Sequence, residues 1–233
     1  MKNIQIEQAL VKRRDELFDY LSNLTLSEFF YEQYNDIQTG VGIITAGDDY
    51  VAELLEASKD TSFDEAFRER VQLVKNLDAN SIINSFKNDI LELCKYIGKH
   101  NHYNKLQAIF IEYDYYESYK ADVRGFGKQN YPIILTPRYI YTEIDFSKKC
   151  FNIFNAIDFK QAWVDCEDFE WILTYDEVFY ELQNLFQFHS AILLFKALES
   201  LDKNGALSQF LVRPFTFYIN ERECEEITLY VLE

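Results

Sequence analysis

The spacing of apolar residues changes period near residue 100, and that change constrains the fold more than any single motif does. Before it, apolar positions recur every three or four residues, as on one face of a helix; after it, they alternate, as on the two faces of a strand. A chain patterned in this way is expected to build an α+β fold, with helices gathered at the N-terminal end and a sheet following them.

In the helical part, Ile6, Leu10, Leu17, Leu21 and Leu24 fall on one stripe, with Asp15, Glu16 and Asp19 elsewhere on the circumference. Thr25 and Glu28 have the spacing of a capping box, in which hydroxyl and carboxylate satisfy each other's orphan amides. They open a second helix that turns Leu26, Phe29, Phe30 and Tyr34 inward. Ser62 and Glu65 repeat the spacing ahead of Phe63, Phe67, Val71 and Val74. Asn80 or Ser81 is expected to cap the next helix, which carries Ile82, Ile83, Phe86, Ile90, Leu93, Cys94 and Ile97. The first 100 residues therefore read as four or five helices. The segment from Gly40 to Asp49 interrupts them as a loop or short strand.

From Leu106 to Tyr116 the chain is rich in β-branched and aromatic residues, with Ile109, Ile111, Tyr113 and Tyr115 on one face and Ala108, Phe110, Glu112 and Asp114 on the other. Tyr119 to Phe126 is expected to be its hairpin partner. Pro132 to Ile144 reads as a third extended run whose prolines, Pro132 and Pro137, confine it to an edge or a bulge. Thr174 and Glu177 open a long packing helix at about 175–203, which Gly205 stops. Phe215, Phe217 and Ile219, then Ile227, Leu229 and Val231, alternate on either side of a polar turn and predict a C-terminal β-hairpin. The sheet is expected to be mainly antiparallel. With 48% hydrophobic residues the chain can bury a sizeable core, so one compact domain over 1–233 is expected, with 1–102 and 103–233 as subdomains at most.

The N-terminal residues lack the apolar run of a signal peptide, and no apolar stretch approaches the roughly 20 residues that span a bilayer. Cytoplasmic location is the expectation. Cys94, Cys150, Cys166 and Cys224 are scattered, as reduced thiols would be.

Asp and Glu number 39 against 23 Lys and Arg, a net charge of −16. Such a field repels phosphate backbones and anionic lipid, which argues against direct nucleic-acid or membrane binding, and it speeds encounter with a basic protein. Divided at residue 100, the charge is nearly even, whereas the 39 aromatic residues concentrate in the second part.

Motifs for chemistry are incomplete. Gly40 to Asp49 lacks the Lys-Ser/Thr pair and glycine spacing of a phosphate loop, and Asp48 and Asp49 would repel the ligand. Cys94, His100 and His102 do not supply the four converging ligands of a structural zinc. His189, set among Phe186, Phe188 and Ile192, reads as a core or boundary histidine. Carboxylate pairs such as Glu112 and Asp114 give no separation across a cleft. No catalytic residue, metal ligand or cofactor is assigned.

Two segments instead suit recognition, because tyrosine and tryptophan offer rigid contact area while carboxylates accept forked hydrogen bonds from arginine. One is Asp114, Tyr115, Tyr116 and Glu117. The other holds Trp163, Asp165, Glu167, Asp168, Glu170 and Trp171. In its bulk character, small, acidic, aromatic and without catalytic motifs, the chain resembles immunity proteins, though no family motif is matched. The resemblance implies a non-catalytic cytoplasmic protein that binds a basic partner such as a toxin or nuclease. The alternatives are a hydrolase using carboxylates or a Cys–His pair, and a structural subunit of an oligomer.

Overall fold

Among the described residues the N-terminal part holds five helices: α1 (Lys2–Ser22), α2 (Leu26–Thr39), α3 (Asp48–Ala57), α4 (Ser62–Asn76) and α5 (Ala79–Lys99). Strands β1 (Ala108–Tyr113), β2 (Ala121–Phe126) and β3 (Phe146–Phe151) follow, then the long helix α6 (Glu177–Lys203), a single 3-10 turn at Leu207–Gln209, and strands β4 (Phe215–Glu221) and β5 (Ile227–Leu232). The computed structural model describes residues 1–40, 48–59, 61–99, 106–113, 121–128, 130–139, 146–151, 177–221 and 225–233. The fold is α+β, as the change of period predicts.

Most of the helical stripes are buried where the spacing places them: Ile6, Leu10, Leu17 and Leu21 on α1, Phe67, Val71 and Val74 on α4, and Ile82, Phe86, Ile90, Leu93, Cys94 and Ile97 on α5; Leu24, Phe29, Tyr34 and Ile83 are only half-buried. The caps differ from expectation. Thr25 stands at the N-cap of α2 in extended conformation, yet its side chain makes no capping bond. The α5 cap is neither Asn80 nor Ser81 but Asp78, whose Oδ1 accepts the backbone N–H groups of Asn80 at 3.1 Å and Ser81 at 3.2 Å. A carboxylate just before the helix serves both orphan donors and meets the positive end of the macrodipole.

The strands form one five-stranded sheet in the order β3-β2-β1-β4-β5. β2 pairs antiparallel with β1 and with β3, and β5 pairs antiparallel with β4. β1 and β4 run parallel, with Ile109 opposite Phe217 and Ile111 opposite Ile219. The sheet is therefore mixed. A parallel neighbour requires a crossover, and the chain between β1 and β4 supplies α6 for it. The third strand lies later than the proline-bearing run. Residues 130–139 form no regular strand but lie along β5, where Arg138 and Glu226 exchange backbone hydrogen bonds at 3.1 and 3.0 Å. Pro132 and Pro137 remove two donors and hold this run to the irregular edge position.

The chain divides into two compact units. The first comprises Met1–Arg13, Asp78–Lys160 and Gln187–Glu233, and the second Arg14–Leu77 and Gln161–Phe186. In the first, the sheet is covered on both faces. Phe195 of α6 meets the Tyr230 ring edge-on at 5.3 Å, and the Tyr230 hydroxyl donates to Asp202 of the same helix at 2.9 Å. The opposite face carries Ala108, Phe110, Phe126, Ile134 and Tyr218, with Tyr131 packed on them. This is why every residue of β5 is buried rather than every second one. Tyr218 keeps its hydroxyl satisfied by donating to the Pro132 carbonyl at 2.6 Å. α6 ends in a Schellman motif: Gly205, at φ +76°, donates to Asp202 O at 2.8 Å, and Ala206 donates to Leu201 O at 2.9 Å.

In the second unit, α2 packs against α3 and α4. Leu26, Phe30, Leu54, Phe67 and Val71 are buried. Lys75 of α4 lays its ammonium over the Phe18 ring, 3.6 Å from its centroid, a contact of about 0.5–1 kcal/mol at a solvated site.

Candidate interaction surface

Both recognition segments read from the sequence, Asp114, Tyr115, Tyr116 and Glu117, and Trp163, Asp165, Glu167, Asp168, Glu170 and Trp171, lie outside the described residues, as do His100, His102 and Cys166. Described groups with chemical potential fall into three kinds: buried nucleophiles, internal ion pairs and an exposed acidic face.

Cys94 is fully buried on α5, and burial pushes its thiol up to about 12. A thiol so placed carries negligible thiolate at neutral pH and reacts poorly. Burial likewise raises the Tyr218 hydroxyl, and burial with the hydrogen bond to Asp202 raises that of Tyr230. These groups serve packing. Among the described residues no set of three His, Cys, Asp or Glu side chains converges as metal ligands would.

Two ion pairs, at Glu112 and at Asp202, are internal ties of the first unit. Glu112 of β1 meets Arg124 of β2 at 2.7 Å across the strand pair. Asp202 accepts from Arg213 at 2.7 Å and from Tyr230 at 2.9 Å, while Arg213 also bonds Ser208 at 2.8 Å and the Glu233 carbonyl. Each carboxylate already faces its counter-charge and is spent on holding the fold.

The second unit is different. Between Arg14 and Lys59 the sequence contains no Lys, Arg or His, and ten acids. This stretch includes all of α2 and α3. On α2, Glu28, Glu32 and Asp36 succeed one another at four-residue steps and are exposed. Tyr31 lies beside them, 52% exposed, its ring stacked on Tyr34 with centroids 6.5 Å apart. On α3, which packs against α2, Glu53 and Glu56 are exposed. Local like-charge repulsion at i, i+4 costs a few tenths of a kcal/mol per pair, and no cation within the stretch relieves it. Division of the chain at residue 100 averages this asymmetry away; a window spanning two helices finds it.

The arrangement can attract a cation-rich surface, seat an arginine between carboxylates, and lay tyrosine rings against the stem of a basic side chain. Among the described residues no helix is long and apolar enough to cross a membrane. Comparison with protein-family models, with curated proteins and with solved structures finds no match, so the geometry of this chain alone carries the functional argument.

Proposed function

We propose that this chain is a non-catalytic acidic protein that binds a basic macromolecular partner, in the manner of an immunity protein that neutralises a basic toxin or nuclease. One observation carries the reading: the cation-free stretch between Arg14 and Lys59 supplies ten of the acids behind the net charge of −16, and α2 and α3, which pack together, present five of them on exposed positions, three on α2 with Tyr31. Charge of one sign concentrated on two adjacent helices steers association more effectively than the same charge scattered over a surface. An aromatic within the patch supplies the anchor that charge alone lacks, since binding energy concentrates on buried aromatic and arginine contacts. The acidic run from Asp165 to Glu170 belongs to the same proposal as a second contact.

The test is affinity capture with the intact chain followed by association kinetics on the captured protein across a salt series. A basic partner whose association rate falls about tenfold or more between low and physiological ionic strength is expected. Capture of only neutral or acidic proteins, or a rate indifferent to salt, overturns the reading.

A further inference from the structure

β5 reads Ile227-Thr228-Leu229-Tyr230-Val231-Leu232, without a charge or a proline, and it lies at one edge of the sheet. A strand of that composition with an open edge is a template for pairing with another chain. Two elements occupy the edge. At its start, Thr228 N–H donates to Ile134 O at 3.0 Å and Ile134 N–H donates to the Thr228 hydroxyl at 2.7 Å, next to the Arg138–Glu226 pair. At its far end the occupant is a side chain. Asn3, in the first turn of α1, donates from Nδ2 to Val231 O at 2.8 Å and accepts the Val231 N–H on Oδ1 at 2.9 Å.

A primary carboxamide carries a donor N–H and an acceptor oxygen side by side, so this contact satisfies both the N–H and the C=O of Val231, as an opposed residue of an antiparallel strand would. We infer that Asn3 is an edge lock: it holds the hydrogen-bonding position that the β5 strand of a second copy of this chain would otherwise take, with Val231 opposite Val231 across a two-fold axis. That occupant follows from the edge itself. An antiparallel edge is self-complementary, which suits an isologous dimer, and the uncharged strand carries nothing to repel its copy. The Lys2–Glu233 ion pair at 3.3 Å also joins this turn of α1 to the chain's end, but both side chains are half exposed and it adds little in water. Asn3 is a conformational device, independent of the acidic face and of the function proposed for it.

The experiment compares Asn3→Ala with Lys2→Ala in the full chain, reading mass by light scattering against concentration and Val231 amide exchange by NMR. Asn3→Ala is expected to raise Val231 exchange about tenfold or more at low concentration and to shift the mass with concentration toward twice the wild-type value. Lys2→Ala, which loosens the same turn and leaves the carboxamide in place, is expected to match the wild type in both. Circular dichroism verifies that each variant is folded, and Asn3→Asp, which keeps the acceptor and loses the donor, is expected to fall between wild type and Asn3→Ala. Unchanged Val231 exchange in Asn3→Ala overturns the lock. So does faster exchange without association, or association by Lys2→Ala to the same extent.

Discussion

Asp64 caps a helix to which it does not belong. Its Oδ1 accepts the Ser27 backbone N–H at 2.9 Å and its Oδ2 accepts the Ser27 hydroxyl at 2.8 Å, both residues being buried. Ser27 lies in the first turn of α2 and Asp64 in the first turn of α4, so the carboxylate ties two helix N-termini together. It takes the orphan donor that Thr25 leaves unserved. Replacing Asp64 by Ala strands two buried donors and is expected to cost about 2 kcal/mol in chemical denaturation. Thr25→Ala is expected to cost less than about 0.5 kcal/mol, because no side-chain bond is lost. Equal losses would return the capping role to Thr25.

Gly205 is expected to resist substitution for a purely conformational reason. A Cβ there would meet nothing within 4 Å, so no clash is involved, but φ is +76°. Gly205→Ala therefore costs about 1 kcal/mol through backbone strain, and Gly205→Asn distinctly less, since asparagine tolerates the left-handed region. Thermal melts of the two variants give the comparison; a neutral Gly205→Ala would mean that the end of α6 can relax.

Asp89 makes stability depend on pH in the direction opposite to an ordinary paired carboxylate. Burial, with Glu92 one turn away on α5 adding to it, raises Asp89 from 3.8 to about 6, and among the described residues its Oδ2 has no hydrogen-bond partner. Between about pH 4 and 6 the folded chain holds a proton that the unfolded chain has released, so stability from this group falls as pH rises through that window. Asp89→Asn, neutral throughout, is expected to be more stable than the wild type at pH 7 by about 1 kcal/mol after allowance for solvent screening, and to match it near pH 4. Denaturation midpoints of the pair across this range decide it. A difference that does not change with pH would remove titration of Asp89 as its cause.

What could be read from the sequence divides along a physical line. The stripes of α1, α4 and α5 obey a local period, and most of the residues that the period selects are buried. The paired strands β1 and β2, the long helix and the closing hairpin follow from similarly local signals. Features that depend on distant partners had no such signal. The parallel register of β1 on β4 sets Ala108 opposite Thr216; nothing near either residue encodes the other. Thr25 marked the start of α2, while its capping partner lay in α4. Alternation in β5 marks a strand but not its surroundings: Tyr218 and residues 130–139 on one side and α6 on the other bury every residue of it. The acidic face was present in the sequence as a run without cations; the helix faces and their exposure turn that run into a surface.

Charge reversal localises the proposed docking face. Long-range steering depends on where charge sits, and a rim carboxylate acts mainly on the association rate. The triple variant Glu28→Lys, Glu32→Lys and Glu53→Lys changes three exposed positions of α2 and α3, and it is expected to slow association with a basic partner about tenfold or more at low salt, with a shallower salt dependence. The triple reversal at Asp165, Glu167 and Asp168 measures the second acidic segment in the same assay. Glu7→Lys with Glu225→Lys adds positive charge outside both stretches of sequence and is expected to change the rate by about twofold at most. Glu28, Glu32 and Glu53 are exposed, so the triple variant of α2 and α3 should retain the wild-type melting temperature to within a few degrees. Equal slowing by the control pair would mean that net charge, and no particular face, directs the encounter; slowing confined to the Asp165 set would move the contact from α2 and α3 to that segment.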